Sequence, residues 1–299
     1  MISRNNMKIL ITGSSGLVGM ALREFLENKN YTLFTPSSQE CNLLNFEQTL
    51  NYFQIKKPEF VIHLAANVGG LYKNMNDKVG MFEKNMKINM NGLECAYICN
   101  VKKVVSCLST CIFPDKTTYP INEKMLHDGP PHFSNDAYAY AKRMLEIHSK
   151  SYNEQFDTNF ICVIPTNIYG PHDNYSLENG HVIPSLIHKC YLAKQEQKDF
   201  VVRGTGKPLR QFIYSSDLAR LLLWVMEEYE EKESIILSVS EKDEISIKDI
   251  AFEIAKCFHY EKYLVFNESY SDGQFKKTAD NSKLLSYLPD FKFLSIKEG

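Results

Sequence analysis

The chain has 299 residues, 44% of them hydrophobic, with 34 Lys plus Arg against 36 Asp plus Glu and a formal net charge of −2. That balance leaves no electrostatic footprint for nucleic acid or an anionic membrane, so neither is an expected partner. The length suffices to bury a large core in one big domain or two lobes, while the longest apolar stretch, 221–226, is far too short to span a bilayer.

Residues 1–6 are polar and carry no apolar signal-segment core, so a short unstructured lead-in is expected. Ile9, Leu10 and Ile11 follow as an apolar run that reads as a fully buried strand. The strand ends in Gly13, Gly16 and Gly19, and a helical pattern (Leu17, Met20, Leu22, Leu26) begins inside the glycine run. Strand, tight glycine turn and helix N-terminus together make a phosphate site, because free N–H groups and the helix dipole point outward there.

Residues 31–34 read as a second strand, ending at Ser37 and Ser38. An acidic residue at that strand end would select NAD through the ribose 2′-hydroxyl. The two serines leave room for a 2′-phosphate but supply no cation, so the stretch favours NADP without settling NADPH against NADH. A helix over 46–55 leads to a strand at 60–64 and the small pair Ala65 and Ala66, where a backbone can approach a ligand. Residues 66–78 are expected as a polar loop and 81–99 as a long helix. The fourth strand, 103–108, runs into Ser109, Thr110 and Cys111, then into a loop carrying Pro114, Pro120, Pro130 and Pro131. Loops of this length inside a compact domain are usually functional. A helix over 137–155 and a strand over 160–164 complete the alternation of a Rossmann-like, doubly wound parallel α/β sheet.

Beyond Pro165 the pattern loosens. A helix at about 182–194, short strands at 200–202, 212–214, 235–239 and 263–266, and helices at 218–226 and 247–258 are expected. The reading divides the chain into a dinucleotide-binding domain, 1–165 plus about 212–245, and a smaller substrate lobe, about 166–211 and 246–299. The lobe would close over the carboxyl ends of the parallel strands, where ligands of such sheets bind. The 8 cysteines scatter through apolar segments, as reduced thiols of a cytoplasmic protein do. Cys95, Cys99, Cys107 and Cys111 match no common zinc spacing, and no metal is expected.

Tyr138 and Lys142 are four apart on a helix and so share a face. An ammonium near a phenol favours phenolate, and Ser109 adds a hydroxyl donor at a strand end. Such a set can move a proton to or from a carbonyl oxygen while a nicotinamide moves the hydride. Tyr140 has Met144 where its lysine would be, so Tyr138 is the candidate. Cys111 and His181, which heads a helix after Gly180, are candidates for an acid/base pair on opposite faces of a sugar ring.

These features together resemble the extended short-chain dehydrogenase/reductase family, over about residues 7–293. The most specific stretches run from His63 to Gly70, Leu108 to Pro114, Tyr138 to Lys142, Pro165 to Asn174 and Gly180 to Pro184. The resemblance is to its 3,5-epimerase-4-reductases, which act on GDP-4-keto-6-deoxy-D-mannose with NADP (NADPH). The alternatives are an NAD-dependent nucleotide-sugar 4-epimerase or dehydratase of the same fold, and a non-catalytic NADP-binding protein. Dehydratases carry Asp-Glu where Cys111 and Ile112 follow Thr110, and a non-catalytic protein should have lost Tyr138 or Lys142. The resemblance implies that Tyr138, supported by Lys142 and Ser109, protonates the 4-keto oxygen, that Cys111 is the base, and that His181 is the acid. It places the cofactor against Gly13, Ser14, Ser15, Gly16, Leu17, Val18, Gly19, Asn42, Leu43, Leu64, Ala65, Ala66, Leu108, Lys142, Pro165, Thr166, Asn167, Ile168 and His181. It places the sugar nucleotide against Asn167, Lys189, Arg203, Arg210, Asp272 and Lys277. Arg203 stands where relatives often carry Trp, and the family commonly continues past residue 299 into a last helix, so a lobe that is either trimmed or closed differently is expected. A homodimer joined through helices 81–99 and 137–155 is also implied.

Overall fold

The computed structural model describes residues 6–178, 180–270, 272 and 275–299. The expected lead-in, apart from Asn6, lies outside them, as do Gly273 and Gln274 of the loop before Lys277. β1 (Met7–Thr12) is followed by α1 (Leu17–Leu26), β2 (Tyr31–Phe34), α2 (Phe46–Lys56) and β3 (Phe60–His63). Next come α3 (Leu71–Asn76), α4 (Lys78–Ile98), β4 (Lys103–Cys107), α5 (Asp136–Phe156) and β5 (Phe160–Pro165). After β6 (Asn167–Tyr169) the chain adds α6 (Val182–Glu196), β7 (Phe200–Arg203), β8 (Leu209–Arg210), β9 (Phe212–Tyr214), α7 (Ser215–Glu227) and β10 (Ile235–Leu237). It closes with β11 (Ile245–Ser246), α8 (Ile247–Cys257), β12 (Leu264–Asn267) and α9 (Ser282–Tyr287).

Six strands form the main sheet in the order β2-β1-β3-β4-β5-β10. Every neighbouring pair is parallel. The strand alternation decides what each face buries. Ile9, Ile11, Ile62 and Val105 face Leu22 and Leu26 of α1 and Leu218, Leu221 and Leu222 of α7. Leu10, Val61, Val104 and Cys162 face Phe53 of α2, Leu93 and Ala96 of α4, and Leu145 of α5. Helices on both faces of an all-parallel sheet make it doubly wound, as the apolar strand pattern predicts. The order reverses at β1, which has β2 on one side and β3 on the other, so the crevice outside its carboxyl end is the switch point.

Two segments differ from the sequence expectation. The stretch 66–78 is not all loop, because residues 71–76 wind into α3 and Asp77 then caps α4 by accepting from Gly80 N at 3.2 Å. The helix read at 218–226 starts earlier, at Ser215, directly on the end of β9. A third apolar cluster, with Ile183, Leu186, Cys190, Phe200, Val202, Phe212, Ile250 and Ile254, holds α6, β7, β9 and α8 together. Leu284 of α9 and then Leu288, Phe291 and Phe293 pack instead on the α1/α7 face of the main sheet.

Candidate active site

Backbone crowding shapes the β1–α1 turn. Gly13 has φ +70°, and a Cβ there would stand 2.7 Å from Ala65 N, so only glycine lets the ends of β1 and β3 meet. A Cβ on Gly19 would reach 2.5 Å from Gly13 O, so the third glycine lets α1 pack on its own entry turn. Gly16 differs: its Cβ would meet only Gly13 O, at 3.5 Å, and no protein atom crowds it. No side chain caps α1, and no acidic residue lies in its first turn. A bare helix N-terminus with open space at its capping glycine fits an incoming phosphate. Ser14 is buried and Ser15 exposed, while Val18 and Leu64 pack on the core beneath.

The other expected cofactor residues occupy the strand ends. Leu64 N donates to Thr12 O at 3.2 Å, and Ala65 N to Thr12 Oγ1 at 3.3 Å, with Ala66 next in the chain. Leu43 O accepts from Asn91 Nδ2 at 2.7 Å, and Asn42 Oδ1 accepts from Leu44 N at 3.1 Å. Leu108 is buried at the end of β4, and Pro165 ends β5. The Thr166 hydroxyl is buried with no hydrogen-bond partner among the described residues, a donor left for a ligand. Ile168 sits on β6, which pairs with β9. At the end of β2 the sequence reading missed a charge. Glu40 folds back so that its Oε2 accepts from both Ser37 N and Ser37 Oγ at 2.8 Å, and these bonds hold its carboxyl below the usual range.

α5 sets the reactive groups. Lys142 Nζ donates to Cys107 O at 2.8 Å and stands 5.9 Å from the centre of the Tyr138 ring. The expected lowering of the Tyr138 pKa does not occur. Desolvation pushes the phenol well above its ordinary value, with the charges of Cys111 and Cys107 adding to the rise. Desolvation also lowers Lys142. The Cys107 thiol is pushed up to about 11 by burial. Ser109 caps a short turn at Thr110–Ile112, where its Oγ accepts from Cys111 N at 3.5 Å.

Distant segments complete this wall. Gln211 Oε1 accepts from Ala279 N at 2.7 Å, and Ile121 N donates to Thr278 O at 2.8 Å. These bonds pin the segment after Lys277 against β9 and the proline loop. The Lys277 ammonium, lowered by burial, feels the charges of Cys111, Arg210 and Asp115. Burial lowers Arg210 too, and its Nη1 donates to Leu209 O at 2.7 Å. Asn167 Nδ2 donates to Gln211 O at 2.9 Å. Cys111, Tyr138, Lys142, Lys277, Arg210 and Asn167 therefore gather around the carboxyl ends of β4 and β5.

Other expected residues sit on the lobe. His181 is the first residue before α6, and its Nδ1 lies 3.9 Å from Oδ1 of Asp173, whose side chain is only 6% exposed. That carboxylate raises the imidazole pKa. Among the described residues no hydrogen bond joins His181 to Tyr138 or Cys111. Arg203 stacks its guanidinium 4.7 Å from the centre of the Tyr270 ring, and its charge adds to the desolvation that lowers Lys189. Asp272 is engaged with the turn at 204–205, accepting from Thr205 N at 2.9 Å and Thr205 Oγ1 at 2.5 Å. Gln211, Arg143 and Asp173 carry no sequence signal of their own; their parts come only from what they touch.

The model of the NAD dependent epimerase/dehydratase family matches residues 9–239. Among curated relatives, GDP-L-fucose synthase of Dictyostelium discoideum is 53% identical over 294 residues, 97% of this chain and 92% of that protein. Probable GDP-L-fucose synthase of Drosophila melanogaster is 46% identical over 300 residues, 97% of this chain and 94% of that one. A crystal structure of a GDP-L-fucose synthetase from Naegleria fowleri bound to NADP superposes with a TM-score of 0.93 at 48% identity, covering 100% of this chain and 92% of that one. With the glycine turn, the Tyr138–Lys142 pair and near end-to-end relatives in agreement, the chain belongs to the NAD dependent epimerase/dehydratase family, in its GDP-L-fucose synthase branch.

Proposed function

We propose that the protein is an NADP(H)-dependent epimerase and reductase that converts GDP-4-keto-6-deoxy-D-mannose to GDP-L-fucose. The observation that carries this reading is a partly enclosed phenol, Tyr138, sharing one wall with the thiol of Cys111 and the cations Lys142 and Lys277. The β1–α1 turn, Thr166 and the ends of β3 to β5 hold the cofactor, which supplies hydride when bound. Arg210, Lys277 and Asn167, with Lys189 and Arg203 on the lobe, hold the GDP-sugar, and the cations offset its diphosphate charge. Residues 1–165 plus about 212–245 form the cofactor part of the molecule, and the lobe supplies the sugar contacts.

The residues divide the chemistry. Cys111, as thiolate, takes a proton from a carbon beside the ketone, and the electron pair moves onto the carbonyl oxygen. Tyr138 and Lys142 stabilise that oxygen. His181, whose pKa the Asp173 carboxylate raises, returns a proton from the other face. In the reduction, Tyr138, a phenol protonated at neutral pH, gives its proton to the 4-keto oxygen, and the Lys142 ammonium beside it offsets the phenolate left behind.

No described helix is long and apolar enough to cross a membrane. A cytoplasmic enzyme fits the scattered free thiols. Met90, Tyr97 and Ile98 of α4 and Ile147 and Phe156 of α5 are exposed apolar side chains that suit a homodimer through these helices, checked by light scattering. The decisive experiment supplies GDP-4-keto-6-deoxy-D-mannose and NADPH, follows cofactor oxidation and identifies the sugar product. GDP-L-fucose is expected, with the GDP-linked ketone turned over faster than a UDP-linked one. Equal turnover of the two would remove the nucleotide assignment.

A further inference from the structure

We infer that Arg143 is a positioning residue for Cys111: its Nε fixes the turn that carries the thiol, and its charge is held beside the thiolate. The inference rests on the reading of Cys111 as base. Arg143 follows Lys142 on α5 and is 5% exposed. Its Nε donates to Ile112 O at 2.6 Å, the carbonyl next along from Cys111. Its guanidinium lies 5.6 Å from the centre of the Tyr140 ring. Its Nη2 is buried with no hydrogen-bond partner among the described residues.

A buried guanidinium with an unused donor is costly unless an anion compensates it. The groups that act on Arg143 are Tyr140 and Cys111, and both favour its charged form against the desolvation that lowers it. Electrostatic interaction is mutual, so the same guanidinium favours the Cys111 thiolate. The other titratable groups that feel Cys111 are Tyr138 and Lys142 from α5 and Lys277 from the C-terminal segment. Lys142 is bonded to Cys107 O, and Lys277 feels Arg210 and Asp115 as well. Arg143 is the cation tied directly to the 110–112 turn. When the thiolate takes its proton from the carbon beside the ketone, the sulfur loses its charge and the carbonyl oxygen gains it.

The test is the pH dependence of Cys111 alkylation by iodoacetamide, in which thiolate displaces iodide, with the Cys111 peptide quantified by mass spectrometry. Arg143→Gln removes the charge, and Arg143→Lys retains one. The glutamine variant is expected to move the midpoint upward, leaving less thiolate and slower alkylation at neutral pH. It should slow solvent-deuterium exchange into the substrate to a similar degree, with NADPH binding retained. The lysine variant is expected to recover part of the shift. A midpoint that is unchanged in the glutamine variant, or moved equally in both, reduces Arg143 to a structural brace and overturns the inference. Should Cys111→Ser retain exchange while the alkylation shift stands, the assignment of the base fails and the Arg143–Cys111 coupling does not.

Discussion

Thr12 Oγ1 lies 2.9 Å from His63 Nδ1, tying the end of β1 to the end of β3 beside the glycine turn. The contact extends further. His63 Nε2 lies 3.3 Å from Asn89 Oδ1 on α4, and Asn89 Nδ2 donates to Ala141 O on α5 at 3.4 Å. The tautomer that satisfies every member places the hydrogen on Nε2, so Nδ1 accepts from the Thr12 hydroxyl. One relay of neutral groups thus joins the phosphate turn to the helix that carries Tyr138 and Lys142.

That relay makes stability depend on pH. Burial, with the Lys142 charge adding, lowers the His63 pKa from 6.5 to about 4. The unfolded chain binds this proton near 6.5 and the folded one only near 4. The contribution is therefore complete above about 6.5, falls as pH drops through that window and is gone below about 4. Its full size is on the order of 3 kcal/mol. Urea unfolding of the wild type should weaken more steeply between pH 7.5 and 4.5 than unfolding of His63→Gln. Parallel profiles would show that His63 titrates normally in the fold.

Tyr138→Phe removes one hydroxyl and keeps the ring. Packing on α5 should survive, and the GDP-sugar should still bind. Reduction should fall by about 10²–10⁴-fold, the ordinary worth of a general acid. Steady-state NADPH oxidation measures it, and a variant above half of wild-type activity would remove Tyr138 from the chemistry.

Cys111→Ser and His181→Asn should both lose epimerisation but differ in one readout. With the base present and the acid absent, His181→Asn should still exchange substrate protons for solvent deuterium. Cys111→Ser should exchange very little. Mass spectrometry of the substrate after incubation in deuterated water without NADPH distinguishes them, and rapid exchange by Cys111→Ser would reverse the assignment.

Glu40 offers a fourth test. Its ionised carboxylate holds both donors of Ser37 at the end of β2, where a 2′-phosphate would compete for them. Glu40→Gln should tighten NADPH by about two- to fivefold, the scale of an exposed charge pair, and leave NADH nearly unchanged. Equal effects on both, read by fluorescence titration, would place the 2′-phosphate elsewhere.

Several parts of this site are legible in the amino-acid order because each depends on neighbours a few residues away. The strand Ile9 to Ile11 with its glycine turn is one, since φ and close backbone approach are local demands. Tyr138 and Lys142 on one helix face are another, as is Ser109 two residues before Cys111. Tertiary structure decided the rest. Tyr138 was expected to be lowered by Lys142 and is raised, because desolvation sums over every element packed around the phenol. Lys277 is within electrostatic reach of Cys111 only because Gln211 and Ile121 clamp the segment that follows it. Arg143 finds Ile112 O across the packing of α5 on the 110–112 turn, whereas the Glu40–Ser37 contact is a local turn that the sequence reading passed over. Hydrogen bonds between residues far apart in the chain, and the water that packing excludes, belong to the assembled fold and leave no periodicity in the sequence.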